Sequence, residues 1–198
     1  MTDEKLNWPE KGDRVFRSSL SPADQARLDA FVMPSEGMYL VGFQRAADMI
    51  VDAAQTDDKN PDDLFFPVAY LYRHHLELML KELVRLGVRV GSLDGCEEIL
   101  GQHNLHKLWN KARELIKDVW PDSPDEDVKA AEKMILEFHK LDSSGQAFRY
   151  ARQIDGTPCL QGAPPRVDLG NLRKAVDSVS RLLDASYAGI ESCDPGPP

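Results

Sequence analysis

The chain has 198 residues, of which 42% are hydrophobic and 29% charged. That is enough for one folded domain with a substantial core, and it excludes a chain too polar to fold. A net charge of −9 excludes broad, sequence-independent binding of nucleic-acid backbone by the average surface, but leaves room for a local basic groove.

In chain order, residues 1–20 read as a flexible arm. Ser21-Pro22 then offers a cap with proline at the first helical position, opening a short helix to Phe31 that Pro34 ends. A second helix starts near Ser35 and carries Tyr39, Phe43, Ala46, Ala47, Ile50, Ala53 and Ala54 at spacings of three and four, so one face is buried. Asn60-Pro61 breaks the pattern. A longer helix, Asp63 to Leu86, is apolar around most of its circumference and takes Gly87 as its stop. Pro67 would lie inside it, which calls for a kink or a later start.

Gly87 to Gly101 is a linker with one helical turn at Cys96 to Leu100. Leu105, Leu108, Trp109, Ala112, Leu115, Ile116 and Val119 mark the next amphipathic helix, ended by Pro121. Ser123-Pro124-Asp125-Glu126 is a capping box that opens a helix bearing Val128, Ala131, Ile135, Phe138 and Leu141. Residues 142–167 break the helical rhythm and form a small hairpin or ordered loop around Asp155-Gly156. Asp168 caps a last helix through Tyr187, and residues 189–198 are a frayed tail. The expected fold is all-α, an up-and-down bundle of about five helices over residues 21–188.

Three cysteines, Cys96, Cys159 and Cys193, describe neither a disulfide scaffold nor a thiolate metal knuckle. Met1 to Glu10 holds no apolar run, and the longest apolar stretch, Leu64 to Tyr72, is too short to span a bilayer. The expectation is a cytoplasmic chain without membrane contact and without a cofactor.

The polar residues of interest gather on the central helix. Arg73, Glu77 and Lys81 are four apart and share one face, with His74 beside that stripe and His75 on a more apolar side. Read plainly, the stripe is a solvated edge with weak ion pairs and His75 a satisfied core histidine. Read functionally, Arg73, His74, Glu77 and His103 are candidate catalytic groups, because arginine supplies a fixed fork for phosphate and histidine exchanges a proton near neutral pH. Lys81, His106, Arg149, Tyr150 and Asp155 are candidate ligand contacts, His106 because it lies one turn from His103. The loop holding Asp142, Ser143, Ser144, Phe148, Arg149, Tyr150 and Asp155 either caps the bundle or folds over the Arg/His face. No metal site is expected, since di-iron bundles need Glu-x-x-His pairs and this helix carries the reverse order, His74-x-x-Glu77.

The helix order, the helix start His103-Asn104-Leu105-His106-Lys107-Leu108, the pair Arg149-Tyr150 and the segment Tyr72 to Lys81 resemble the HEPN superfamily over roughly residues 35 to 188. These are helical bundles of prokaryotic toxin–antitoxin, defence and nucleotidyltransferase-associated proteins. The resemblance implies binding of RNA, a nucleotide or a protein partner such as an antitoxin or nucleotidyltransferase-like protein. It also implies a homodimer and, in the members that cleave RNA, metal-independent chemistry. Those members carry an arginine followed four to six residues later by a histidine, and no arginine of this chain has a histidine at that distance. The expected function is therefore a binding module, with an endoribonuclease of atypical site as the alternative.

Overall fold

A computed structural model describes residues 9, 11–16, 26, 36–56, 61–121 and 125–192. The expected helix at 21–31 apart from Ala26, the Ser123-Pro124 cap and the tail beyond residue 192, with Cys193, lie outside the described residues. The chain divides into two units, Met1–Pro34 and Ser35–Pro198. In the first, Lys11 and Gly12 form a turn.

The second unit is an all-α, up-and-down bundle. Its helices are α1 (Glu36–Thr56), α2 (Pro61–Arg89), the single turn α3 (Glu97–Leu100), α4 (Leu105–Val119), α5 (Asp125–Leu141) and α6 (Leu169–Ser192). Among the described residues none is long and apolar enough to cross a membrane.

Why α2 is central follows from its composition. It packs against α1, α4 and α6, and Val68, Ala69, Tyr72, Leu76, Leu80, Leu83, Val84 and Leu86 are all buried along it, more faces than one amphipathic stripe provides. Pro61 sits at its first position, where a missing N–H costs nothing, and Asp62 and Asp63 complement the positive end of the helix dipole. The helix runs through Pro67 instead of starting after it. Pro67 and Asp63 are both exposed, so water can satisfy the carbonyl that the proline leaves without a donor. Nor does Gly87 end α2, which continues to Arg89. Its role is close approach: a Cβ there would lie 2.7 Å from Leu93 Cδ1 and 2.9 Å from Leu115 Cδ2.

Local rules set the other boundaries. Asn104 caps α4 by accepting from the Lys107 amide at 3.0 Å, and Asp168 caps α6 by accepting from the Asn171 amide at 3.0 Å. α6 runs on to Ser192, past the expected limit of the bundle. Between α5 and α6, the Asp155-Gly156 turn is closed by one antiparallel bridge, Arg152 to Pro158, and by the Gln153 amide donating to Thr157 O at 2.8 Å. The described residues hold no longer strand.

His75 is a core residue. Nδ1 lies 3.0 Å from Leu40 O and Nε2 2.9 Å from the Ser180 hydroxyl. A carbonyl only accepts, so Nδ1 carries the proton, and in the neutral ring Nε2 accepts from the serine hydroxyl. Burial pushes the pKa of His75 below the ordinary histidine value, against the smaller upward pull of Leu40 O and of Asp184, Asp48 and Asp177. Burial likewise lowers His74 and His139. A histidine whose folded pKa is depressed contributes stability that is present above the unfolded value, about 6.5, and is lost as pH falls through the folded value. The urea midpoint is therefore expected to decline as pH drops below about 6.5, and His75→Gln, which cannot titrate, should flatten that limb. A midpoint independent of pH in that region would contradict the assignment.

Candidate functional site

The stripe of α2 that the spacing reads as a solvated edge is covered. Arg73 is 2% exposed, Glu77 1% and Lys81 8%. Over Arg73 the cover is the chain that leaves α5: Asp142 is buried and bonded by Arg73, and its Oδ1 accepts from the Gln146 and Ala147 amides at 2.7 and 3.0 Å.

Arg73 ties three segments together. Its Nε donates to Asp142 O at 3.1 Å, Nη1 to Glu77 Oε2 at 2.9 Å and Nη2 to His103 O at 2.7 Å. Asp142 Oδ2 also lies 3.2 Å from Nε but accepts no directed hydrogen bond, so that contact is an ion pair alone. Glu77 answers with both oxygens: Oε2 takes Arg73, while Oε1 takes Lys81 Nζ at 2.9 Å and His103 Nδ1 at 2.8 Å. Burial alone would raise the Glu77 pKa, but the hydrogen bonds from Lys81, His103 and Arg73 and the charge of Lys81 bring it below the ordinary glutamate value. The carboxylate is thus ionised, and His103 must donate to it through Nδ1–H.

His103 is the one member of this cluster open to solvent, its side chain 57% exposed. With Nδ1 held by Glu77, Nε2 stands on the opposite edge of the ring and is the basic nitrogen in the neutral form. A buried carboxylate that fixes the tautomer and orientation of a partly exposed imidazole is an arrangement suited to proton transfer or to holding an anion. Gly145 completes the seat. Its φ of +79° favours glycine, and a Cβ there would crowd Arg73 Nη1 at 3.2 Å and touch His103 Cβ at 3.4 Å.

The remaining expected site residues fall around this core. Arg149 is exposed, donates from Nε to Gly145 O at 2.9 Å, and places its guanidinium 5.7 Å from the Tyr70 ring centre and 5.6 Å from that of Tyr150. His74 lies on the same aromatic side, 4.5 Å edge-on to Phe43 and stacked at 5.9 Å on Tyr70; it does not join the Glu77 pair. His106 is exposed and its ring lies 5.7 Å from that of His139. Asp155 is apart, accepting from the Thr157 amide and hydroxyl at 3.0 and 2.7 Å to close the hairpin turn.

The arrangement corrects one expectation and adds residues to another. Arg73 belongs to no solvated edge: it is buried and donates three hydrogen bonds inside the protein, so it positions His103 and the 142–147 turn. Gly145 and His139 were not singled out by the sequence. For Gly145 the available signal was the turn-forming run Asp142-Ser143-Ser144-Gly145 directly after a helix; for His139 the sequence carries none. Among the described residues, no group of three or more His, Cys, Asp or Glu is placed to hold a metal ion.

Electrostatically this face departs from the molecule. Segments 103–107 and 139–152 carry Lys107, Lys140, Arg149 and Arg152 against the single buried carboxylate of Asp142, whereas the whole chain has a net charge of −9. The two segments meet at the Arg73 bonds to His103 O and Asp142 O and at the His106–His139 contact. No family model, curated protein or solved structure matches the chain.

Proposed function

We propose that this chain is a HEPN-like helical module that binds the phosphate groups of RNA or a nucleotide at the face made by the start of α4, the end of α5 and the 142–152 loop. The observation that carries the reading is His103, fixed by the buried Glu77 carboxylate and open to solvent, in a seat shared with Gly145, whose carbonyl holds the exposed Arg149. Arg149 supplies a planar fork, and the imidazole of His103 either accepts a hydrogen bond or, protonated, adds charge.

The buried Glu77–His103 pair favours a second reading, metal-independent cleavage. His103 Nε2 would take the proton of a ribose 2′-hydroxyl, whose oxygen attacks the adjacent phosphorus. The 5′-oxygen leaves with a proton from solvent, giving a cyclic phosphate and a free 5′-hydroxyl.

Both readings are tested with one set of proteins. Anisotropy of a labelled single-stranded RNA should show binding that weakens with salt, and Arg149→Ala with Lys107→Ala should weaken it further and flatten the salt slope by about one per lost phosphate contact. RNA that fails to bind at low salt would leave the protein-partner reading in its place. In the presence of chelator, cleavage that falls by about 10²–10⁴ in His103→Ala would establish the second reading; an inert wild type would reject it.

A further inference from the structure

Beside this face lies a concavity of about 910 Å³ between the 142–150 loop and the Asp155-Gly156 hairpin. Its wall includes Ser143, Ser144, Gln146, Tyr150, Gln153 and Ile154. We propose that it seats an unpaired base of the RNA whose phosphate is held at Arg149, an inference that rests on the phosphate-binding reading above.

Placement carries the first part of the argument. Ser144 and Gln146 flank Gly145, which seats Arg73 and His103, and Tyr150 follows Arg149 directly. The phosphate-facing cation and the wall of the concavity therefore belong to one short loop. Chemistry carries the second. Tyr150 is 55% exposed, so a π-face is available for stacking, and the Arg149 guanidinium 5.6 Å from its ring centre braces the ring. Ile154 adds a fully exposed apolar side chain. Gln146 and Gln153 bond within the loop through backbone atoms, and a side-chain amide offers both a donor and an acceptor, the pairing that a base edge presents. Aromatic, amide and hydroxyl groups together fit a nucleobase, whereas a bare phosphate would leave most of this wall without a partner. A base within a duplex cannot reach it, so the site selects single strands.

The test compares three labelled ligands of equal length: oligoadenylate RNA, an abasic ribose–phosphate strand, and the oligoadenylate paired in a duplex. Wild-type protein should bind the single-stranded oligoadenylate about ten-fold more tightly than either other ligand, the scale of one stacked base. Tyr150→Ala should remove that advantage while leaving the abasic strand unaffected, and Tyr150→Phe should retain it. Tyr150 is largely exposed, and an unchanged melting curve confirms that the variants fold. Equal binding of oligoadenylate and abasic strand by the wild type would overturn the base site and leave the phosphate reading intact. Equal weakening of both strands by Tyr150→Ala would also overturn it, because the ring would then act only through Arg149. No binding of any strand would remove the phosphate reading and this inference with it.

Discussion

Replacing Glu77 by alanine is expected to destabilise the fold by about 3–5 kcal/mol, the cost of leaving buried charge without its partner. The side chain is 1% exposed and lies between Arg73 and Lys81, with His103 as a third donor. Without it two buried cations face each other, and only Asp142 remains to compensate Arg73. Glu77→Gln keeps the volume but turns an NH₂ toward groups that donate, so it should also be costly. The Glu77 carboxyl is held below its ordinary pKa, because the donors and cations around it outweigh the effect of burial. Its contribution is therefore complete above the unfolded-state value, about 4.3, and is lost as pH falls through the folded one. Urea unfolding of Glu77→Ala should accordingly show a lower midpoint at pH 7 and a shallower loss of stability in acid. A midpoint equal to wild type at pH 7 would mean that the cluster contributes nothing net.

Trp109 gives the second large effect, of a different kind. Its side chain is fully buried on α4, and truncation to alanine should cost about 3–5 kcal/mol through lost transfer energy and the cavity left behind. The indole Nε1 has no hydrogen-bond partner among the described residues. A buried donor in that state costs about 1–3 kcal/mol, so Trp109→Phe removes a penalty along with some packing, and the two changes oppose each other. The phenylalanine variant should retain most of the stability that alanine loses, as read by urea denaturation of the three proteins side by side. If Trp109→Phe proves as damaging as Trp109→Ala, the indole nitrogen is bonded.

These residues also mark where sequence reasoning works in this protein. Amphipathic spacing, Asp168 as a cap, the turn at Cys96 to Leu100 and the Asp155-Gly156 hairpin are local signals, and the structure follows each of them. Pro67 and Gly87 carry equally local signals, and there tertiary packing prevails: exposure makes the proline tolerable, and the approach of Leu93 and Leu115 gives the glycine a different purpose. The candidate site was half legible. Arg73, Glu77, Lys81 and His103 are brought together, but the stripe looks solvated in the sequence because what meets it comes from distant segments, Asp142 and Gly145 at Arg73 and His103 at Glu77. His106 shows the same limit: sharing a helical face with His103 put it among the ligand contacts, yet its ring neighbour is His139 of another helix. Contacts between elements leave no periodic trace in either one.

The Arg73 bonds have a kinetic meaning as well. They reach residues 30 and 69 positions along the chain, at His103 and Asp142. Segments so distant pay their loop-closure entropy before any of these bonds repays it. An emerging chain that has completed α2 therefore holds Arg73, Glu77 and Lys81 without the histidine, and the Glu77–His103 pair cannot form until α4 has docked. The seat of His103 is thus assembled only with the rest of the bundle, so its presence reports a chain folded through the loop beyond α5.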